Sequence, residues 1–156
     1  MFFTIFFIFL LLAAITCATL LSITDFRRRI IPDAYLFPLM LIGLTLVVFY
    51  GWPIRITDAT IGAVFGYILS TTIGFIFDWH LRRKDSNASV PSGMGDIKLI
   101  RIGGLWMGTT GLSIALFIAC IGGAIWARIQ NQRYIPFGPF FVFGAILSLL
   151  AITFLL

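Results

Sequence analysis

The sequence predicts an all-α integral membrane protein with six transmembrane helices. Of its 156 residues, 60% are hydrophobic and only 11% are charged. A soluble domain of this length has no interior large enough to bury so much apolar surface, so lipid is the expected solvent. The apolar residues also fall into successive runs separated by short polar segments. We therefore expect one domain, residues 1–156, built from six helices that cross the bilayer.

The first two predicted helices are joined by a charged loop. The run from Phe2 to Ile23 has roughly the 20 apolar residues that a membrane span requires. The polar segment from Thr24 to Asp33 follows it, and helix 2 is expected from about Ala34 to Tyr50. Asp33 stands directly before that helix, where an acid can cap the first turn. The alternative is that Asp33 modifies the charge around Asp25.

Helix 3 is predicted from about Thr57 to Phe77. It contains Gly62 and Gly66, the small-residue spacing that lets two membrane helices approach closely. A polar segment from Asp78 to Pro91 follows, the longest in the chain, and we expect it to lie outside the membrane. Gly104, in the next helix, is likewise predicted to be a packing position.

Helix 4 is predicted to be unusually short. It begins at the acid Asp96 and continues only to about Trp106, before a break at Gly108-Thr109-Thr110-Gly111. Eleven residues give roughly 16 Å of helix, against a hydrocarbon thickness of about 30 Å. Either the start of helix 4 is sunk into the bilayer or the break is not a real turn. Helices 5 and 6 are expected at about Thr109 to Ala127 and Phe137 to Leu156.

The basic residues predict the orientation. Ten of them lie in the connections after helices 1, 3 and 5 or at the start of helix 4, and only Arg55 lies on the opposite side. Because Lys and Arg collect in cytoplasmic loops, both termini should face out, and the net charge of +5 requires no nucleic acid. The ten are Arg27, Arg28, Arg29, Arg82, Arg83, Lys84, Lys98, Arg101, Arg128 and Arg133.

The two cysteines do not predict a metal or redox site. Cys17 and Cys120 both lie within apolar runs and have no Cys-x-x-Cys spacing. This argues against a zinc site, a redox pair or a disulfide framework.

Asp25 and Asp96 are the residues in which we expect chemistry, because the predicted topology brings both to the cytoplasmic edge. An aspartic hydrolase needs two carboxyl groups: one ionised, which takes a proton from water, and one protonated, which hydrogen-bonds the scissile carbonyl. Close carboxyl groups cannot easily both ionise, so they share a proton. The simpler alternative is that both acids only cap helices, since acids are favoured near helix N-termini.

Three motifs in order resemble the prepilin peptidases, the Gly-x-Gly-Asp membrane aspartic proteases. They are Asp25 with the basic run and Ile31-Pro32 after it, Gly-x-Gly-Asp-x-Lys-Leu at 93–99, and Pro136-Phe137-Gly138-Pro139-Phe140 at the start of the last helix. The similarity extends over essentially the whole chain. One Gly-x-Gly-Asp alone is weak evidence, but three ordered motifs on six predicted helices are specific.

The resemblance implies that Asp25 and Asp96 form the catalytic pair, with Gly93, Gly95 and Lys98 supporting the motif. It implies an endopeptidase without metal or cofactor, located in the prokaryotic inner membrane. Its substrates would be type IV pilin-like precursors, whose basic leader is cut at the cytoplasmic face. For Lys98, an interfacial position with the charged group reaching toward water is an equal alternative.

Larger members of this family carry a cytoplasmic insert with paired cysteines and also methylate the new N-terminus. No such segment is found here, so we expect no methyl transfer. Two rival functions remain open: a small transporter or proton-conducting subunit, because acids within membranes often mark ion pathways, and an inactive scaffold of a pilus or secretion machine. The sequence does not specify the precursor or the oligomeric state.

Overall fold

The computed structural model describes residues 1–84, 93–131 and 135–155, and every element in these ranges is helical, which confirms the predicted all-α class. Four helices are long and apolar enough to cross a membrane, and the last is a shorter apolar helix. The predicted count of six is not confirmed. The elements are α1 (Phe2–Arg28), α2 (Asp33–Thr45, continued by a π-helical turn, Leu46–Tyr50), α3 (Ile56–Lys84), α4 (Met94–Gln130) and α5 (Phe137–Leu155).

The count differs because predicted helices 4 and 5 form one element, α4, which is bent at Gly108. This residue has φ 67° and ψ −171°, a conformation that glycine adopts at no steric cost. Gly66 of α3 lies against both sides of the bend. A Cβ on Gly66 would stand 2.9 Å from the carbonyl oxygen of Ile100 and 2.9 Å from a methyl carbon of Leu112. In a straight helix these two residues would be about 18 Å apart along the axis.

The predicted break is therefore a real turn, and α4 consists of two arms that fold back toward each other. The first arm carries Asp96 and the second arm leads toward α5. Of the two explanations that the sequence allowed for the short helix 4, the one without a real turn is excluded. A start sunk into the bilayer stays a prediction.

Glycines bring α3 into direct backbone contact with the first arm of α4. Gly62 packs against the backbones of Gly104 and Gly108, and a side chain on Gly62 or Gly104 would overlap the opposing main chain. Close approach at small residues is how membrane helices gain packing contacts in a solvent that is itself apolar. The packing roles predicted for Gly62, Gly66 and Gly104 are confirmed.

The helix α1 is longer than predicted and includes Asp25. The predicted loop from Thr24 to Asp33 was too long, because the segment up to Arg28 contains no helix breaker and its basic residues favour a helix C-terminus. Arg29 ends the helix with φ 54°, a left-handed conformation common after the last turn. Only residues 29–32 connect α1 to α2.

The helix α3 is also longer than predicted. It continues through Asp78 to Lys84, so the first half of the predicted polar segment is helical. Residues 85–91 of that segment lie outside the described residues. The helix begins with Asp58 in its first turn, where an acid is favoured by the helix dipole.

The bent α4 lies at the centre of the bundle, packed against α3 on one side and α5 on the other, while α1 packs on α2 and α5. Buried polar groups are hydrogen-bonded across these contacts. The indole Nε1 of Trp106 donates to the carbonyl of Leu39 at 3.1 Å, and the hydroxyl of Ser148 donates to the carbonyl of Gly111 at 2.9 Å. Many large apolar side chains, among them Phe49 at 75% exposed, face outward as expected for a surface in contact with lipid.

Candidate active site

Asp25 is a buried acid in the last turn of α1, only 5% exposed. Its Oδ2 accepts a hydrogen bond of 2.7 Å from the backbone N–H of Gly138. Gly138 is the second residue of α5, and the N–H groups of a first turn have no partner within their own helix. Pro139 beside it has no N–H, so Gly138 is one of the few donors that this turn offers. Asp25 therefore binds the N-terminus of α5, where negative charge is favoured.

The absence of a side chain at Gly138 is what lets the carboxyl group approach. A Cβ there would stand 2.9 Å from Oδ2 of Asp25 and 3.2 Å from its Cβ. Sequence reasoning placed Gly138 in a motif but did not assign it a role in the site. The available signal was a glycine between Pro136 and Pro139 at the start of an apolar helix.

Asp96 lies in the first turn of α4, partly exposed, directly after the glycines of the motif. Gly93 packs beside it, and a Cβ on Gly93 would stand 2.7 Å from Oδ2 of Asp96. The position of Asp96 in the first turn is one that the helix dipole favours, as the capping alternative expected, but within the described ranges no hydrogen bond to the Asp96 carboxylate is formed. Ile31, six residues after Asp25, packs on Gly95 directly before Asp96, so both acids belong to one end of the bundle.

Residues after α1 attach to the first turns of α4 on either side of Asp96. Ile31 packs on Gly95, where a Cβ would stand 2.8 Å from the Cβ of Ile31. The ammonium group of Lys98 lies 2.7 Å from both carboxylate oxygens of Asp33. Lys98 therefore has a protein partner.

The prediction that Asp33 caps α2 was wrong. Pro32 occupies the N-cap position, no side chain caps the helix, and Asp33 is the first helical residue. Its carboxylate turns instead toward α4. Capping depends on local sequence alone, whereas the ion pair depends on a partner 65 residues away in the chain.

Three aromatic side chains line the same end of the bundle next to Asp25. The rings of Phe26 and Trp126 meet edge to face at 5.6 Å, and Trp126 contacts Phe140 at 6.1 Å. Phe26 is the residue after Asp25. Phe140 lies two residues after Gly138, the donor to Asp25. These ring contacts pack the end of α1 and the start of α5 against the second arm of α4.

No group of three or more potential metal ligands occurs in the part of the chain that the structure describes. Cys17 and Cys120 are free thiols on different helices. Among the described residues, the polar groups at this end of the bundle include two carboxyl groups, the Lys98–Asp33 ion pair and the backbone N–H of Gly138.

The fold and the site together define a helical membrane protein with two acids at neighbouring helix ends. The chain belongs to the Type IV leader peptidase family, whose sequence pattern matches residues 4–128. Asp25 and Asp96 both lie within the matched residues, and α5 lies beyond them. The resemblance on which the sequence analysis relied is therefore confirmed.

Relatives from three bacteria carry the name prepilin leader peptidase/N-methyltransferase. The protein of Escherichia coli (strain K12) is 34% identical over 135 residues, which cover 83% of this chain and 57% of the relative. Those of Pseudomonas putida and Burkholderia pseudomallei (strain 1026b) are 30% and 31% identical and cover 83% and 85% of this chain, but only 45% and 44% of their own lengths. The chain thus spans about half the length of these relatives. No solved structure is significantly similar to it.

Proposed function

We propose that this chain is an aspartic endopeptidase that removes the N-terminal leader of type IV pilin-like precursors, with Asp25 and Asp96 as its catalytic pair. Membership of the Type IV leader peptidase family and the names of the relatives support the peptidase activity and the substrate class. The observation that carries the residue assignment is the hydrogen bond from Gly138 to buried Asp25, at the same end of the bundle as Asp96.

In this mechanism the two carboxyl groups hold one proton between them. The ionised group takes a proton from water, and the resulting hydroxide attacks the scissile carbonyl, which accepts a hydrogen bond from the protonated group. Collapse of the tetrahedral intermediate transfers a proton to the leaving amine. The Gly138 N–H fixes the orientation of Asp25 during these steps, while the glycines beside Asp96 leave room for an extended substrate backbone.

The proposed location is the prokaryotic inner membrane. Both termini would lie outside and the two acids at the cytoplasmic face. The chain would cross the membrane six times if each arm of α4 is counted. The asymmetry of the basic residues and the turn at Gly108 support this topology. A substrate whose own apolar helix lies in the bilayer would then present the peptide bond before that helix to the two acids. We propose that residues 1–156 form one domain and that methyl transfer is not part of its activity.

The test is cleavage of a pilin-like precursor by this protein reconstituted in lipid vesicles, followed by mass spectrometry. Asp25→Asn and Asp96→Asn remove one member of the pair without a change in size. Each should lower the rate by roughly a hundredfold or more, because general acid and base catalysis contributes at least that much. The matched control is Asp58→Asn, which neutralises an exposed acid in the first turn of α3.

The proposal predicts full activity for Asp58→Asn and intact precursor with either site variant. If Asp25→Asn and Asp96→Asn both release the leader at the normal rate, the acids are not catalytic. If the unaltered protein leaves several such precursors uncut while vesicles containing it conduct protons, the transporter function replaces the peptidase.

A further inference from the structure

The ion pair between Lys98 and Asp33 joins α4, which carries Asp96, to the start of α2, the helix that follows Asp25 in the chain. The Lys98 ammonium group is 2.7 Å from each oxygen of Asp33, so both oxygens are engaged by one cation. Lys98 comes two residues after Asp96 on α4. Asp33 comes eight residues after Asp25, at the start of α2.

A second contact reinforces this connection on the other side of Asp96. Ile31 packs on Gly95 so closely that a Cβ at Gly95 would stand 2.8 Å from the Cβ of Ile31. The short segment after α1 therefore contacts α4 immediately before Asp96 and again two residues after it. One contact is apolar and the other is ionic.

The packing of the bundle makes this segment important for the distance between the acids. The main contacts of α1 are with α2 and α5, and α4 packs mainly on α3, α5 and α2. The helix α5 and the segment 31–33 thus both connect the part of the chain that carries Asp25 to α4, which carries Asp96. Gly138 of α5 binds Asp25, whereas the segment 31–33 contacts Gly95 and Lys98, which flank Asp96.

We propose that Lys98 and Asp33 are positioning residues that hold Asp96 at its working distance from Asp25. The inference rests on the proposed function of the two acids. Both side chains are well exposed, 50% for Lys98 and 69% for Asp33, so the pair contributes little to the stability of the fold. Catalysis is far more sensitive, because a displacement of about 1 Å can lower a rate on the order of a hundredfold.

The test is charge reversal of each partner alone and of both together. Lys98→Asp and Asp33→Lys each place like charges opposite one another, and each should lower kcat tenfold or more with little change in KM, since substrate contacts are left intact. The double variant restores an opposite-charge pair and should recover most of kcat. Lys98→Arg keeps a cation that can bind the carboxylate and should stay active.

The matched control is Arg101→Asp, the same charge change one helical turn further along α4. Arg101 is exposed and lines the same pocket as Asp33 and Lys98, but its guanidinium lies 5.6 Å from the ring of Tyr67, and the cation bound to Asp33 is Lys98. Its reversal should leave kcat near normal. A loss equal to that of Lys98→Asp would mean that total charge matters and that the specific pair does not.

A distance measurement separates this inference from the proposed peptidase activity. Spin labels at Arg28, the end of α1, and at the exposed Met94 are introduced after replacement of both native cysteines. The distance distribution should broaden in Lys98→Asp and narrow again in the double variant. Identical distributions in all variants, or a double variant no more active than either single one, would overturn the positioning role. The proposed peptidase function has its own test, because Asp25→Asn should be inactive with unchanged spin-label distances. That result would stand even if the positioning role of Lys98 and Asp33 were overturned.

Discussion

The backbone N–H of Gly138 and the carboxylate of Asp25, 113 residues apart in the sequence, form a buried hydrogen bond of 2.7 Å. This bond ties the end of α1 to the beginning of α5. It gives the third motif of the sequence a physical role, because a residue with any side chain at 138 would displace the acid. Several measurable consequences depend on it and on the contacts around Asp96.

Gly138→Ala should abolish most of the leader cleavage. The new Cβ would meet Asp25 Oδ2 at 2.9 Å and Asp25 Cβ at 3.2 Å, so the carboxyl group must shift away from its place. We expect a loss of kcat on the order of a hundredfold, as for a misplacement of about 1 Å. Steady-state cleavage of a precursor peptide provides the measurement. Gly74→Ala serves as the control, because a Cβ there has only an ordinary contact of 3.8 Å with Ile97.

Gly95→Ala should impair the same reaction by a different route. Its Cβ would lie 2.8 Å from that of Ile31, which forces the segment after α1 away from α4. The expected result is a lower kcat with normal amounts of protein in the membrane. Cleavage at the rate of Gly74→Ala would show that the Ile31 contact does not position the site.

The dependence of the rate on pH should be bell-shaped. With one shared proton, activity is lost at low pH when both carboxyl groups are protonated and at high pH when both are ionised. The measurement is kcat/KM for a precursor peptide without titratable groups near the cut, with Asp58→Asn expected to give the same curve. A rate that only rises with pH would contradict a mechanism that requires one protonated acid.

Gly108→Ala should lower the stability of the folded protein. The combination of φ 67° and ψ −171° is open essentially to glycine alone, and another residue there costs about 1–3 kcal/mol. Thermal unfolding in detergent should show a clearly lower midpoint than for Gly74→Ala. Equal midpoints would mean that the arms of α4 can meet without this backbone conformation.

Local sequence patterns determined much of this protein. The apolar runs predicted an all-helical membrane protein, the glycine spacing in α3 predicted a close contact with another helix, and the glycines at 108 and 111 predicted the break. Each of these depends on residues near one another in the chain. The pairing of Asp25 with Asp96 as one site was also predicted, through ordered motifs and the positions of basic residues.

Only the tertiary structure decided which groups bind Asp25 and Asp33. The donor to Asp25 and the partner of Asp33 lie 113 and 65 residues away from them, distances over which no sequence periodicity operates. The local sequence predicted that Asp33 caps a helix. In the structure α2 packs beside α4, and the Asp33 carboxylate binds the ammonium group of Lys98 instead. The sequence by itself thus specified which residues are polar in an apolar chain, whereas the helix packing determined the partners that these polar groups find.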